Sequence, residues 1–464
     1  MPALSLGDLA AATGGVLLRG SGETRVDSYS IDTRTLRSGG VFFALPGTRS
    51  DGHSFLGAAA RAGAAAAVIR EEPPAGEPAP PALIRVDDAA DALARAGATA
   101  RRAGGFRVAA VTGSAGKTTT KELLAAGLGA SRRVHRTQAN LNNHLGVPLS
   151  LLACPDGAEW AVIEMGMSAP GEIGFLTRIA DPDVALVTNV RPVHLEFFDS
   201  LDGIAAAKGE LYALLRPEAS AVVNLDDERC RIQAARHAGP RVTFGRDPAA
   251  DLALESVEDR FVPGATLTFR HGGRSRTLAL RIGGAHAALD ALAALAAVAA
   301  AGEDLDTAAA AMSSVEPAPG RGRIHRLAKG ALLVDESYNS NPAALESVLG
   351  TLEGSPASGR KILVMGDMLE LGPTEKALHR EAGERAAASG VQVLVGVGPR
   401  SKAAIEAARR SRIAEAWHEP DAAAAARSVP PRIGAGDLVV VKGSRGIHLE
   451  QVVEAILRGR EEER

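Results

Sequence analysis

In the segment VTGSAGKTTTKELL, Gly113, Gly116, Lys117 and Thr118 sit at the turn between an apolar strand-like run, RVAAV, and a helical stretch. Small residues at such a turn let backbone N–H groups approach phosphate oxygens. Lys117 would neutralise β- and γ-phosphate charge, and Thr118 would hold Mg²⁺ through its hydroxyl. A helix beginning near Thr119 would turn its positive end toward the anion. The first glycine of the full phosphate-loop pattern is missing, yet strand, turn, Lys-Thr and helix follow in the required order. The reading is an ATP site that takes in Ser114, Ala115 and Thr119. The plainer alternative is a glycine turn with a surface lysine.

A carboxylate attacking a polyphosphate needs further positive charge, and hard cations take oxygen ligands, which makes Glu164, at the end of WAVIE, a Mg²⁺ candidate. His194 follows DVALVTNV and could also ligate a metal, although a lone loop histidine is commonly just solvated. Lys208 lies in the helical stretch AAAKGEL, where an ordinary lysine, with a pKa near ~10.4, would repel Mg²⁺. Asn140, Asn142 and Asn143 crowd one short loop and cannot all be structural caps, so at least one is expected to serve substrate.

Parallel sheets with crossover helices place ligands beyond the carboxyl ends of the strands, and these residues fall at such ends. RVAAV, WAVIE, DVALVTNV and SAVVN alternate with helical stretches from Phe106 onward. An antiparallel hairpin is expected about His271-Gly272-Gly273, then an alanine-rich helix over 285–301 and a linker, EPAPGRGR, at 316–323. ALLVD, KILVMGD, VQVLVGVG and DLVVVKG predict a second doubly wound unit. Residues before it, with VFFAL and AAAAVI, predict a small mixed α/β unit. The expectation is an α/β protein of three domains: 1–103, a central P-loop parallel-sheet ATPase domain at 104–316, and a C-terminal doubly wound α/β domain at 317–464.

Composition excludes several classes. With 464 residues and a net charge of −3, the chain has no charge run suited to nucleic acid. Its two cysteines, Cys154 and Cys230, fit a reducing compartment and lack metal-ligand spacing. The N-terminus lacks a basic flank, and the longest apolar run is interrupted by His286 and Asp290, so a cytoplasmic protein without membrane insertion is expected.

Taken in order, GSAGKTTTKE, NLNNHLGVPLSLL, IEMGMSAPGEI, VTNVRPVHLEFFDS and AAKGEL resemble the central domain of the Mur ligases of peptidoglycan synthesis. SIDTRTLRSGGVFFALPGTRSDGHSF is similar to the family's UDP-sugar-binding domain. VDESYNSNPAAL, VMGDMLELG and VVVKGSRG are similar to its C-terminal domain. SYNSNP and GDMLELG point to the members that join D-alanyl-D-alanine to UDP-N-acetylmuramoyl-tripeptide. Members that add the third residue carry Asp-Asn-Pro-Arg, whereas Asn341-Pro342 is followed here by Ala343.

The resemblance implies a carbamate on Lys208, which would turn that cation into a metal-binding anion, and sets Glu164 and His194 around the metals with Thr118. It implies that Asp32, Thr33, Arg34, Gly47 and His53 line the UDP-sugar site, and that Asn140, Asn142 and Asn143 approach the muramoyl-peptide. Arg323 and Asp335 would reach ATP, and Asn339, Asp367, Lys442 and Ser444 would serve D-alanyl-D-alanine. In GGAHAALDALAA the chain departs from the family, carrying Ala287 and Asp290 where asparagines are usual, beside His286. Asp290 could still accept a hydrogen bond from the nucleotide. The expected activity is peptide-bond formation through an acyl phosphate, by a monomer. The alternatives are a Mur or folylpolyglutamate-type ligase with a single amino acid acceptor, and a P-loop nucleotide switch, although a guanine-reading Asn-Lys-x-Asp is missing.

Overall fold

The structure, a computed structural model, describes residues 4–461 apart from 48–49, 193–197, 199, 260–263 and 356. Near the N-terminus, five strands form one sheet in the order Val16–Arg19, Ala82–Arg85, Ala66–Ile69, Val41–Phe43, Tyr29–Ser30. Only the first pairing is antiparallel. VFFAL and AAAAVI thus both supply strands, trimmed to their fully buried parts. The helix Ala89–Ala103 begins where Asp88 accepts hydrogen bonds from the backbone N–H of Ala90 and Asp91. It buries Leu93 and Ala96 against this sheet and Ala94 against the next.

The central sheet has nine described strands, with the phosphate-loop strand Arg107–Thr112 between Trp160–Glu164 and Val184–Val187. All three run parallel, so Thr112, Glu164 and Val187 end at one edge. The expected hairpin is present: Ala265–His271 pairs with Arg274–Ala279 through Gly272 and Gly273, whose φ values of 58° and 74° suit a two-residue turn that only glycine adopts easily. It is not a separate piece. Leu252–Asp259 pairs parallel to Arg241–Gly245 and antiparallel to Ala265–His271, carrying the hairpin onto the same sheet. Charges interrupt the apolar pattern of LALESVED, which hides this strand in the sequence. The helix Ala285–Ala300 buries eleven of its residues, because alanine lets it lie close to both the sheet and the phosphate-loop helix, Lys117–Gly129.

The C-terminal sheet runs Arg323–Arg326, Leu332–Glu336, Leu438–Lys442, Lys361–Gly366, Val393–Val397, Glu415–Glu419, parallel except for the first pair. The last three residues of EPAPGRGR therefore lead directly into an edge strand. Among the described residues, no helix is long and apolar enough to cross a membrane.

One ion cluster fastens the N-terminal helix to the central sheet. Arg101, 11% exposed in its side chain, donates to Asp183 Oδ2 at 2.8 Å and to the carbonyls of Phe106, Ala180 and Asp181. Asp183 also accepts from the Val108 N–H at 2.7 Å and from Arg216 at 2.9 Å. Removing the carboxylate strands a buried guanidinium, so Asp183→Ala is expected to cost about 3 kcal/mol, read as an unfolding midpoint at lower urea concentration, while Glu218→Ala at the exposed rim stays within about 0.5 kcal/mol.

Candidate active site

The phosphate loop is held open by the neighbouring strand. Thr188 Oγ1 donates to the Ala115 carbonyl at 2.6 Å, and Asn189 accepts from the Ala115 N–H at 3.0 Å while donating to the same carbonyl at 3.2 Å. Ser114 exchanges hydrogen bonds with the backbone of Arg191. Two glycines are obligatory here. A Cβ on Gly113 would lie 1.9 Å from Thr188 Oγ1, and one on Gly116, at φ 80°, would lie 2.0 Å from Asp290 Oδ1. Gly116 precedes the helix without any side-chain cap, so the helix begins at Lys117 rather than near Thr119, and its first N–H groups carry no side-chain acceptor. Lys117 Nζ folds back onto the Gly113 carbonyl at 2.8 Å. Burial holds this lysine below the usual range, opposed by the nearby Glu164 charge.

Glu164 is the hub of the site. It is 3% exposed, its Oε2 accepts from Thr118 Oγ1 at 3.0 Å, its Oε1 accepts from Asn142 Nδ2 at 2.8 Å, and Lys121 Nζ lies 3.8 Å away. A hydroxyl and a carboxylate oxygen in contact beside a phosphate cradle form a donor set that fits a hard divalent cation. Lys208 is 2% exposed on the helix Leu201–Ala213 and has no hydrogen-bond or ion-pair partner among the described residues. Burial, and then the positive charge of Lys117, pushes its amine far below the ordinary lysine pKa. His194 lies outside the described residues. Of the asparagines, Asn142 orients Glu164, Asn143 accepts from the Leu145 and Gly146 N–H groups in the manner of a helix cap, and Asn140 is exposed.

On the opposite wall stands Asp290, 6% exposed and accepting no hydrogen bond from any described residue. Burial pushes its carboxyl up to about 7 against the opposing pull of Arg321 and Lys117. The arginine that faces the phosphate loop is thus Arg321; Arg323 is exposed on the edge strand, its backbone registered with Asp335. Arg321 is not among the sequence candidates, though its place directly after the Pro-Gly turn in EPAPGRGR is the available signal. Arg321 stacks 4.0 Å from the centre of the Tyr338 ring, whose neighbourhood also holds Arg445 at 4.8 Å. Asp335 is committed to this turn: it accepts from the Gly320 and Ser337 N–H groups. His286 contacts Ser347 Oγ at 3.0 Å, reaching from the central helix to the C-terminal unit.

Three descriptions cover most of the chain: the Mur ligase family catalytic domain at residues 25–101, the Mur ligase middle domain at 111–298, and the Mur ligase glutamate ligase domain at 320–445. The chain belongs to the Mur ligase family. It is 34% identical to the UDP-N-acetylmuramoyl-tripeptide–D-alanyl-D-alanine ligase of Bacillus subtilis strain 168, over 94% of both chains. It is likewise 34% identical to the enzyme of that name from Escherichia coli K12, over 93% of this chain and 94% of that one. Among solved structures it superposes on MurF from Acinetobacter baumannii with a TM-score of 0.87, at 29% identity and over 99% of both chains. On the MurF ligase of Thermotoga maritima in complex with ADP the TM-score is 0.80, at 29% identity, over 94% of this chain and 98% of that one.

In this Mur ligase the remaining sequence candidates fall into two groups. At the N-terminal sheet, Asp32 clasps Arg34 through its backbone and guanidinium, leaving that arginine 87% exposed beside Thr33. His53 is tied between Asp51, at 2.7 Å, and the Arg70 N–H, at 3.0 Å, which fixes the loop carrying Gly47 to the sheet. Asp51, absent from the sequence candidates, does the tying. At the C-terminal sheet, Lys442 pairs with Glu336 at 3.1 Å and reaches the Asn339 carbonyl at 3.3 Å. Asp367 is fully buried and accepts from the Ser401 N–H at 2.7 Å, while Ser444 bridges Leu369 and Ser340.

The close approach at the loop gives a direct test. Gly116→Ala adds left-handed strain of about 1–2 kcal/mol to the collision with Asp290, so nucleotide affinity measured by calorimetry is expected to fall at least about tenfold with an unchanged circular dichroism spectrum.

Proposed function

We propose that this chain joins D-alanyl-D-alanine to UDP-N-acetylmuramoyl-tripeptide, using ATP to convert the tripeptide's terminal carboxylate to an acyl phosphate. The observation that carries the reading is the contact of Thr118 with Glu164 at 3.0 Å, set beside the phosphate-loop lysine at the edge where three parallel strands end. Two further facts support it: the relatives matched over nearly the whole chain are D-alanyl-D-alanine-adding ligases, and Ala343 stands at the place where third-residue ligases carry arginine.

The carboxylate would attack the γ-phosphorus, and Lys117 and Arg321 would offset the charge that develops on the phosphoryl oxygens. Thr118 and Glu164 would hold Mg²⁺, with His194 completing the set; bound there, the ion would supply Lewis-acid charge stabilisation. The neutral amine of D-alanyl-D-alanine then attacks the activated carbonyl, and the tetrahedral intermediate collapses with loss of phosphate. Lys442 and Asn339, at the C-terminal strand edge, would meet the dipeptide, with Asp367 and Ser444 bracing their loops. Arg34, Thr33 and the loop of Gly47 and His53 would receive the UDP-sugar diphosphate. In this reading residues 1–103 bind the UDP-sugar, 104–316 bind ATP and 317–464 bind the dipeptide. One cytoplasmic monomer supplies every group.

Lys208 would act as a carbamate. A desolvated lysine without a counter-ion is a neutral amine, the form that attacks CO₂: a C–N bond forms, one proton leaves to solvent, and the side chain becomes an anion that can join the metal set. Carbon-13 bicarbonate should give a carbamate resonance in the parent chain that is missing from Lys208→Ala, which is expected to lose at least ~10²-fold in activity. A parent chain without the resonance sinks this role.

The activity itself is tested by phosphate release from ATP and Mg²⁺ with UDP-N-acetylmuramoyl-tripeptide, with and without D-alanyl-D-alanine, and by the product mass. Release that requires the dipeptide and yields the pentapeptide is expected. Release indifferent to the dipeptide, or supported equally by a single amino acid, would refute the assignment.

A further inference from the structure

The phosphate loop carries a feature that its chemistry does not call for: a buried carboxyl pressed against the place where polyphosphate must enter. Asp290 lies on the helix Ala285–Ala300, with Oδ1 so close to Gly116 that a methyl group there could not fit. Its carboxyl has no hydrogen-bond donor among the described residues and little contact with water. The charged groups that face it are Arg321, from the turn before the edge strand, and Lys117, from the phosphate-loop helix. On its own helix, His286 lies one turn earlier and is engaged with Ser347.

An ionised carboxylate in this position would repel a nucleotide phosphate at close range through a poorly screening medium. A protonated one is an O–H donor, and can offer the bound nucleotide what a carboxamide would. Both cations that favour ionisation of Asp290, Arg321 and Lys117, are also those the phosphates would draw away. Resting on the ATP site of the proposed function, we infer that Asp290 is a positioning residue that takes up a proton from solvent as the nucleotide binds, so that nucleotide affinity in this chain is linked to proton concentration.

The sign follows from linkage. With the free carboxyl near 7, and higher in the complex because phosphate adds negative charge and engages Arg321 and Lys117, protonation differs between the two states only above that value. Below about pH 6 both states are protonated and affinity is independent of Asp290. Rising pH through the interval from 7 to the bound value lowers affinity by up to about tenfold per unit.

The test is calorimetric titration of the full chain with ADP and Mg²⁺ at pH 8, where the nucleotide phosphates are fully ionised, in two buffers of different ionisation enthalpy. The parent chain is expected to take up roughly half a proton or more per nucleotide. Asp290→Asn keeps the shape and removes the titration, so its uptake should fall to near zero, its affinity should be flat between pH 7 and 8.5, and at pH 8 it should bind ADP several-fold more tightly than the parent. Binding without proton uptake in the parent, or uptake that persists in the variant, overturns the proposal and leaves the nucleotide site intact. A variant that no longer binds ADP while the parent does overturns the proposal alone; failure of the parent chain to bind ADP overturns both the proposal and the function on which it rests.

Discussion

Glu164 joins three parts of the site at a single carboxylate. One oxygen takes the Thr118 hydroxyl from the phosphate-loop helix, and the other takes the Asn142 amide from the loop that precedes the helix Gly146–Leu152. Its own N–H is bound by Thr137 Oγ1, and Thr137 in turn offers its carbonyl to the buried Lys121. A buried carboxylate is tolerated only when its oxygens are supplied with donors. The requirement fixes where the phosphate loop, the asparagine loop and the strand Trp160–Glu164 lie relative to one another, to within hydrogen-bond tolerance. Because a metal would compete for the same oxygens, the pre-formed contacts also orient the ligands before any ion arrives.

The opposite side of the loop is governed by close approach rather than by charge pairing. Gly113 faces Thr188, Gly116 faces Asp290, and neither site has room for one more carbon atom. The strand ends of the sheet therefore press on the loop from one side while the alanine-rich helix presses from the other. Small residues along that helix permit the approach, and the buried residues on either side of Asp290 fix its position against the loop.

Much of this was legible in the residues. Apolar runs bounded by helical stretches define the parallel sheets because strands buried on both faces need continuous hydrophobicity, and the polar residues that end those runs must share an edge. The Gly272-Gly273 pair marks its own turn. What escaped the sequence escaped for definable reasons. LALESVED is a sheet-joining strand buried over Leu252, Ala253 and Leu254 and largely exposed beyond them, so its pattern is broken by charge. Arg321 and Arg323 are two residues apart, and only the antiparallel register of Arg323 with Asp335 shows which of them is committed to the edge strand. His53, Asp367 and Ser444 were read for their chemistry, yet the hydrogen bonds they make are loop-fixing ones, visible only once the partners Asp51, Ser401 and Leu369 are in place.

Tyr338 connects these levels. It lies in the SYNSNP element of the C-terminal unit, and its ring carries Arg321 at 4.0 Å and Arg445, from the loop after Leu438–Lys442, at 4.8 Å. Two guanidinium groups on one ring repel each other, and the arrangement is favourable only while the aromatic surface and nearby anions offset that repulsion. Arg321 is also the cation whose charge is felt by both Lys117 and Asp290. Phosphate entering the loop would compete with the ring for Arg321, and any shift of that arginine would be transmitted to the turn that Asp335 holds together through Gly320 and Ser337. The same turn leads into the C-terminal sheet, so one side chain is placed to couple occupancy of the phosphate loop to the position of the unit that presents the second substrate.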